Sequence, residues 1–496
     1  MTDSKIIDTK LDVINKSMGV VMLTAVFQFP CVPVSPRVAV IFKDMKTGED
    51  RRIPMAIVTN ECNVTAKGVY EIPYVFLNHS PESLKISFSL SDGTDNGEIF
   101  DTDIQLPYFK RKAIKHFLAS SKREKIKAIV DIVLNSICLP FRMLPVKKNR
   151  ISFFSNRTDE LTGNIREVYN TISQDEGYDI KVLSKGGGVK SSVSMLFKFM
   201  YLYMTSKVVF VDDYFHLISY IKKKDNTKLI QLWHACGAFK TFGFSRIHKD
   251  SKLKVSSANH RQYDYAVVSS PDVAHFYAEA FGISSEKAVA LGSPRCDRLV
   301  DSEYIEKTKE KFYEEYPQLK GKKLFMFAPT FRGGGHGDCY YPKEDFIVDE
   351  VLETLGEDWA ILIKLHPYLT EKFTCSDANK DRMVDCSHWD VNDVLFVTDF
   401  LVTDYSSVIF EASILNIPMA FYAKDLEEFI ATRDFYCDFL YFIPGDFFDD
   451  INEVALLAKE NRADMERIRA FKYRAFGDTI GNACSNISSF VKSLMS

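Results

Sequence analysis

The stretch LVTDYSSVIFEA, residues 401–412, joins an apolar run to a helical pattern through a short polar corner. Thr403, Asp404, Ser406 and Ser407 occupy this corner. Hydroxyl groups at a helix start, beside its free backbone N–H groups and partial positive charge, are typical of anion-binding sites. The predicted ligand is therefore a phosphate or diphosphate. The alternative is ordinary capping of the helix by Asp404 or Ser406.

A histidine follows another apolar run directly, in the segment LWHACGAFKTFGFSR, residues 232–246. This residue is His234, and Gly237, Lys240 and Arg246 lie a few positions further along. An imidazole there can take a proton from an attacking hydroxyl group, because its pKa lies near neutral pH. We therefore predict a catalytic base at His234, with the residues after it on the acceptor side. The alternative is a histidine that only hydrogen-bonds a neighbouring loop.

Three further segments place polar side chains after predicted strands. In KLHP, residues 364–367, the proline that follows His366 restrains it, and the imidazole can donate to a phosphoryl oxygen. In GSPRCD, residues 292–297, Arg295 is predicted to bind phosphate, with a structural Arg295–Asp297 pair as the alternative. In FAPTFRGGGHG, residues 327–337, Arg332 leads into a glycine-rich loop that can expose N–H groups to phosphate.

Composition restricts the possible classes of protein. The formal net charge of −4 gives no indication of a nucleic-acid partner, and the ten cysteines show neither CxxC pairs nor zinc spacing. They are expected to be reduced thiols of a cytoplasmic protein. The start of the chain lacks a basic segment followed by an apolar one, so no export signal is expected. Asp212 and Asp213 are only a weak metal candidate, so neither a metal nor a cofactor is predicted.

The elements that must position these residues lie after residue 150, where predicted strands and helices alternate. Predicted strands lie at 150–154, 207–211, 229–233, 265–269, 287–291, 323–328, 359–364 and in the run from 394 to 402. This alternation predicts α/β domains with parallel sheets and helices on both faces. About 340 residues exceed one ordinary domain, so two halves are expected, at 151–310 and 311–496. Two doubly wound halves with a central cleft form the GT-B architecture, with ligands at the carboxyl ends of the strands.

Two segments precede these halves. Residues 1–110 contain short β-branched and aromatic runs between turn signals, which predicts a small sandwich-like β module. Residues 111–150 are strongly basic, with only Glu124 and Asp131 as acidic residues, and they include the apolar stretch AIVDIVLNSICLPF. A basic amphipathic helix suits an anionic membrane surface. The alternative is a linker helix with a solvated basic face.

Motifs over about 150–450 resemble the CDP-glycerol glycerophosphotransferase family, whose members are teichoic acid polyol-phosphate primases and polymerases. Besides the segments quoted above, the resemblance rests on FFSNRTDELTGN, FVDDY, VVSSPDVAHFYAEAFGI, NDVLFVTDFLVTDYSS and TRDFY. The long form WHACGAFKTFGFSR, together with FAPTFRGGGHG, is most similar to the ribitol-phosphate polymerase branch.

The resemblance implies a GT-B fold, a CDP-polyol donor and a membrane-linked acceptor. It implies that His234 and His366 are catalytic and that Thr403, Ser406 and Ser407 bind donor phosphate. The expected reaction moves ribitol or glycerol phosphate from its CDP donor to a hydroxyl of a lipid-linked acceptor, releasing CMP. It would take place at the cytoplasmic face of the cell membrane, in teichoic acid or capsule-like polymer synthesis. The alternatives are a GT-B sugar-nucleotide glycosyltransferase and an inactive scaffold.

Overall fold

The computed structural model describes residues 5–15, 20–29, 36–59, 63–71, 83–91, 97–105, 122–184, 192–246, 260–333, 338–432 and 435–496. Some predicted features lie partly outside the described residues. They include the first part of the basic segment, up to residue 121, the glycine-rich loop at 334–337, and positions 433–434 of the motif TRDFY.

The N-terminal module consists of two antiparallel sheets packed face to face. Its strands are β1 (Lys5–Asn15), β2 (Val20–Gln28), β3 (Arg37–Asp44), β4 (Asp50–Pro54), β5 (Ala56–Thr59), β6 (Asn63–Glu71), β7 (Leu84–Ser91) and β8 (Glu98–Asp101). The sheet orders are β1-β2-β6-β5 and β4-β3-β7-β8. Alternate residues such as Leu23 and Phe27 from one sheet share a core with Val40 and Phe88 from the other. The predicted β-rich module is confirmed.

The first half contains a six-stranded parallel sheet in the order β10-β9-β11-β12-β13-β14. Its strands are β9 (Lys147–Phe154), β10 (Asp179–Leu183), β11 (Ser206–Val211), β12 (Lys228–Gln231), β13 (Tyr265–Val268) and β14 (Ala288–Ala290). Its helices are α1 (Lys122–Ile137), α2 (Leu139–Met143), α3 (Gly163–Ile172), α4 (Ser192–Thr205) and α5 (Pro271–Phe281). Helices cover both faces, so central strands such as β11 read as almost continuous apolar runs.

The second half repeats this plan in the order β17-β16-β15-β18-β19-β20. Its strands are β15 (Lys323–Ala328), β16 (Trp359–Ile363), β17 (Met383–Asp385), β18 (Phe400–Thr403), β19 (Met419–Tyr422) and β20 (Phe447–Phe448). The helices from residue 302 onward are α6 (Ser302–Glu315), α7 (Val348–Leu355), α8 (Val391–Leu395), α9 (Val408–Ile414), α10 (Leu426–Thr432), α11 (Phe439–Phe442), α12 (Ile451–Lys459), α13 (Met465–Phe476) and α14 (Ala483–Met495).

One predicted element is wrong. The run from Val394 was predicted to be strand, but residues 391–395 form helix α8 and the strand begins only at Phe400. The Asp390 side chain caps α8 by accepting from the Asn392 N–H. Short apolar runs do not distinguish a buried helix from a strand by periodicity alone.

The two ends of the segment 311–496 depart from the predicted division. The boundary at 310 falls inside α6, whose Phe312 packs in the core of the second half. Helix α14 returns to the first half, where Ile487 and Val491 pack with Ile151. The Asp297 carboxylate accepts from the Ala483 and Cys484 N–H groups at 3.1 and 2.8 Å, so it anchors the start of α14 and does not pair with Arg295.

The β module docks on α5 through buried charges. Arg37 of β3 donates to Glu279 at 3.2 Å, and Arg52 of β4 lies 3.6 Å from the same carboxylate. Glu279 also accepts from the Ser245 hydroxyl at 2.7 Å. Arg37 in addition donates to the Phe435 carbonyl at 3.1 Å, which connects the module to the second half.

Candidate active site

The order of each parallel sheet reverses at one point, between β9 and β11 in the first half and between β15 and β18 in the second. Ligands of doubly wound proteins bind beside such reversals, at the carboxyl ends of the strands. The predicted site residues follow β12, β14, β15, β16 and β18, so they lie at these ends.

His234 lies beside a carboxylate and an arginine that follow the neighbouring strands. Its Nδ1 is 3.8 Å from Oδ2 of Asp213, which follows β11. Arg157, which follows β9, places its Nε 3.8 Å from the same oxygen. Sequence reasoning identified Asp213 only as a weak metal candidate and missed Arg157. The adjacency of β9 and β11 at the reversal is the signal that could have identified them.

The surroundings of His234 keep its imidazole neutral. Burial and the nearby Arg157 charge lower its pKa to about 4, against the opposing charge of Asp213. Burial also raises the pKa of Asp212 to about 6, although a hydrogen bond from Ser155 acts in the other direction. At neutral pH His234 is therefore in the form that accepts a proton.

The backbone at His234 is held in an uncommon conformation. Trp233, directly before it, has a φ of 51°, in the left-handed region that a bulky residue rarely adopts. The Asn164 amide at α3 donates to the Leu232 and Trp233 carbonyls, each at 3.1 Å. Its oxygen accepts from the Arg295 N–H at 3.0 Å. Asn164, which sequence reasoning missed, therefore ties the loop after β12 to the loop after β14.

The loop after His234 packs directly against the second half. Gly237 has a φ of 59°, and a Cβ there would lie 2.2 Å from the Phe410 ring of α9, so only glycine fits. Lys240 forms a β-bridge with Phe435. The predicted acceptor-side residues Gly237 and Lys240 therefore lie where the halves meet. Arg246 ends a short 3₁₀ helix, at residues 243–246, and is half-buried.

His366 lies on the opposite half, just after β16. Its Nδ1 accepts from the Tyr368 N–H at 3.2 Å, and its ring lies 4.8 Å from that of Phe331. Burial lowers its pKa, and the charges of Lys240 and Lys364 lower it further. The Lys240 ammonium lies 5.3 Å from the centre of the Phe429 ring, so the loop after His234 reaches the half that carries His366.

Arg332 and Asp404 brace the predicted phosphate corner. Arg332 donates to Asp404 at 2.7 Å and to both carboxylate oxygens of Asp425 at 2.6 and 2.9 Å. Burial alone would lower the pKa of Arg332, but the Asp404 charge and these hydrogen bonds raise it. Asp404 also accepts from the Thr330 N–H at 2.7 Å. Nε, Nη1 and Nη2 of the guanidinium all donate to protein acceptors, so the geometry does not favour the predicted direct contact of Arg332 or Asp404 with phosphate.

The hydroxyl groups of the corner differ in availability. Thr403 is buried, and its hydroxyl donates to the Ala328 carbonyl at 2.6 Å, so it connects β18 to β15. Ser406 and Ser407 are partly exposed at the start of α9. The Ser406 hydroxyl accepts from the Val408 N–H at 3.3 Å, as the capping alternative predicted. Ser406 and Ser407 are therefore better placed than Thr403 to contact a ligand.

Arg295 has a different partner from either of those predicted. Its guanidinium is paired with Glu411 of α9 and donates to the His234 carbonyl at 3.1 Å. Glu411, which is 2% exposed, was missed because it lies 116 positions away. With these contacts made, the predicted phosphate-binding role of Arg295 is not favoured.

A cavity of about 100 Å³ lies between the halves. Arg166 and Arg298 line it from the first half, and Tyr304, Asp390 and Asp393 line it from α6 and the start of α8. Within the described parts of the chain, no group of three or more His, Cys, Asp or Glu residues is arranged to hold a metal ion. The helices described there include none that is long and apolar enough to cross a bilayer.

The sequence profile of the family described as CDP-Glycerol:Poly(glycerophosphate) glycerophosphotransferase matches residues 138–493. The chain belongs to this family. It is therefore an enzyme of the CDP-polyol-dependent phosphotransferase type, and the family predicted from the motifs is confirmed. This match favours polyol-phosphate transfer over the sugar-nucleotide and scaffold alternatives.

Characterised relatives cover most of the chain. The teichoic acid poly(ribitol-phosphate) polymerase of Bacillus spizizenii is 35% identical over 458 residues, covering 90% of this chain and 73% of the polymerase. The teichoic acid ribitol-phosphate polymerase TarK of Staphylococcus aureus is 37% identical over 394 residues, covering 77% of this chain and 76% of TarK. The predicted similarity to the ribitol-phosphate branch is thus confirmed.

The fold is also that of a solved relative. The wall teichoic acid polymerase TagF matches with a TM-score of 0.57 and 20% identity, covering 76% of this chain and 98% of the TagF chain. This match, with the two facing parallel sheets and the antiparallel module, confirms the predicted GT-B class.

Proposed function

We propose that this protein transfers ribitol phosphate from CDP-ribitol to a terminal hydroxyl of a lipid-linked polymer and releases CMP. One observation carries the proposal: His234 and His366 follow strands of opposite halves, and the loop after His234 reaches the second half through the bridge between Lys240 and Phe435. An acceptor on one half and a donor on the other would then meet between the two histidines.

The reaction follows from these positions. The acceptor oxygen attacks the phosphorus that bears the polyol, and the bond from that phosphorus to the CMP oxygen breaks. CMP leaves with the electron pair, while His234 takes the proton of the acceptor hydroxyl. The Asp213 carboxylate, 3.8 Å from Nδ1, stabilises the positive charge that forms on the ring.

The second half supplies the donor site in this proposal. His366 donates to an oxygen of the transferring phosphoryl group, and Lys240 adds positive charge from the facing loop. Ser406 and Ser407 donate hydroxyl hydrogen bonds to the diphosphate. Arg332, Asp404 and Thr403 act indirectly, since they hold the corner in shape through the contacts described above.

The choice of ribitol rests on the relatives. The two ribitol-phosphate polymerases cover 90% and 77% of this chain, whereas the teichoic acid glycerol-phosphate primase of Bacillus subtilis covers 61% at 32% identity. The long loop after β12 is the part of the sequence that first indicated this branch.

We further propose that α1 and α2 bind the cytoplasmic surface of an anionic membrane. One side of this pair docks on the first half, since Cys138 is buried and Asn135 donates to the Tyr220 carbonyl at 2.8 Å. The other side exposes apolar side chains. A linker helix with a solvated basic face would be expected to bury its apolar side chains against the protein. We name as the apolar face the exposed residues Ile126, Ile129, Ile132, Val133, Leu139 and Met143.

A panel of labelled donors tests the transfer. Purified protein is incubated with CDP-ribitol, CDP-glycerol or a UDP-sugar, each with a lipid-linked teichoic acid primer. The proposal expects incorporation of ribitol phosphate with stoichiometric CMP. Preferential incorporation of glycerol phosphate would overturn the choice of donor, and transfer of a sugar or of nothing would overturn the proposed reaction.

A further inference from the structure

The two halves meet at a buried ion pair directly behind His234. Arg295 is the second residue of the short 3₁₀ helix Pro294–Val300 that follows β14, and Glu411 lies in α9 of the other half. Their side chains are 24% and 2% exposed, respectively. The Arg295 guanidinium contacts the Glu411 carboxylate and also donates to the His234 carbonyl at 3.1 Å. A single side chain therefore connects the backbone of the predicted base to the second half.

The helix that carries Glu411 is the one that starts at the phosphate corner. Helix α9 begins at Val408, directly after Ser407, and Glu411 lies in its first turn. The preceding residue, Phe410, packs against Gly237, three positions after His234. Consecutive residues of one helix thus contact the loop of His234: Phe410 packs against Gly237, and Glu411 accepts from the Cys236 thiol at 3.4 Å besides pairing with Arg295.

The loop that receives these contacts needs such support. Trp233 is held at a positive φ, and strained backbone persists only where its surroundings fix it. Asn164 fixes the loop from within the first half, and its oxygen also holds the Arg295 N–H at 3.0 Å. Arg295 is accordingly fixed at both its backbone and its side chain.

We propose that Arg295 and Glu411 are positioning residues, which hold His234 in register with the donor corner across the cleft. This inference rests on the proposed role of His234. Neither side chain is assigned a contact with substrate. The pair connects α9, which begins directly after Ser406 and Ser407, to the backbone of His234. The position of His234 therefore depends on the position of α9.

An ion pair with only a structural role would affect folding and not catalysis. The test must therefore measure how well His234 is placed for the reaction, through kcat and its pH dependence. Burying two charges is costly, and removing one partner leaves the other uncompensated. We therefore compare Arg295→Ala, Glu411→Ala, the double variant and the conservative Arg295→Lys and Glu411→Gln. Steady-state rates are measured with the CDP-polyol that the wild type uses. Arg150→Ala is the matched control, because Arg150 is 3% exposed and pairs with Asp179 inside the first half.

The expected result is a kcat effect. A small misplacement of a reacting group costs on the order of 10²-fold, so each alanine variant should lose about that factor in kcat with little change in donor KM. The double variant should lose no more than either single variant, since the two residues act as a unit. Glu411→Gln should recover much of the rate. Arg150→Ala should lower the melting temperature but not kcat.

The pH profile gives a second readout. The charged side chains that act on His234 are those of Arg157, Asp213 and Arg295. Loss of the Arg295 charge should move the acid limb of kcat/KM to higher pH, whereas Glu411→Ala, which leaves Arg295 without its counter-charge, should move it to lower pH.

Wild-type kcat in a folded Arg295→Ala or Glu411→Ala variant overturns the inference, as do additive losses or an unmoved acid limb. If the alanine variants do not fold, the same criteria apply to Arg295→Lys and Glu411→Gln. His234→Ala is measured in parallel. Activity retained by His234→Ala overturns the base assignment and this inference together, whereas an inactive His234→Ala beside fully active pair variants overturns this inference alone.

Discussion

At the scale of single residues, His234 carries the proton transfer in the proposed reaction. We expect His234→Ala to lower turnover by about 10²–10⁴-fold, the usual loss when a general base is removed. The variant should remain folded, because Nδ1 has no hydrogen-bond partner among the described residues and little is lost by its removal. Turnover and thermal stability are measured together, with His388→Ala as the control, since His388 is exposed and pairs with Glu315 at the surface. Near-normal turnover in folded His234→Ala would contradict the assignment.

The hydroxyl groups of the corner allow a matched comparison. Ser406→Ala with Ser407→Ala should weaken donor binding, because each hydrogen bond to a charged group contributes roughly 1.5–3 kcal/mol. Thr403→Val should instead reduce stability by about 1 kcal/mol and weaken donor binding less than the double serine variant, since the Thr403 hydroxyl already donates to Ala328. Calorimetric titration with the CDP-polyol measures both variants. If the double serine variant binds the CDP-polyol as tightly as the wild type, the two serines only cap the helix.

The sequence predicted the positions of these residues better than their partners. His234, His366 and the corner were recognised because a polar residue directly after a strand must lie at the carboxyl edge of the sheet. The partners of Arg295 and Arg332 were not predicted, because Glu411 and Asp425 come from elements 116 and 93 positions away. Local spacing carries no information about pairs so far apart in the sequence. Both arginines were therefore predicted to bind phosphate.

At the scale of elements, α1 and α2 give a prediction about the membrane. We expect the protein to sediment with phosphatidylglycerol vesicles and to be released by salt, since each basic residue near such a surface contributes about 1 kcal/mol. Changing Ile129, Ile132 and Val133 of the apolar face to Ser should reduce binding further. Val58→Ser, at a similarly exposed position on β5, is the control and should bind like the wild type. Vesicle binding that is changed neither by salt nor by the serine substitutions would contradict the prediction.

Most strands that are buried on both faces of a sheet could be predicted from the sequence. Strands such as β11 and β15 are continuous apolar runs and were located to within about one residue. Strands β10, β17, β19 and β20 were missed. Three of them are short edge strands, which carry fewer apolar residues, and β19 is buried but only four residues long. Helix α8 was mistaken for strand because five residues are too few to show a helical period.

At the scale of the whole molecule, three partly buried histidines predict how stability depends on pH. Burial lowers the pKa of His234 and His260 to about 4 and that of His275 to about 3, from an ordinary value of 6.5. The unfolded chain binds these protons below about pH 6.5 while the folded protein does not, so unfolding takes up protons and stability falls as pH decreases toward 4. Asp212 opposes this, because its raised pKa of about 6 lets the folded protein bind a proton in the same range. Three groups outweigh one, so the net effect is acid destabilisation.

The contribution of His275 to the pH dependence of stability can be measured separately. Neither of its ring nitrogens has a hydrogen-bond partner among the described residues, and it lines an apolar cavity of about 280 Å³ between α5, α9 and α13. His275→Leu should therefore raise stability and remove one of the protons taken up on unfolding, which contributes up to about 1.4 kcal/mol per pH unit. Urea unfolding at pH 7 and pH 5.5 measures the slope. Phe276→Leu, which changes the lining of the same cavity without a titrating group, should shift stability equally at both pH values. A slope in His275→Leu equal to that of the wild type would show that this imidazole binds its proton in the folded protein as readily as in the unfolded chain.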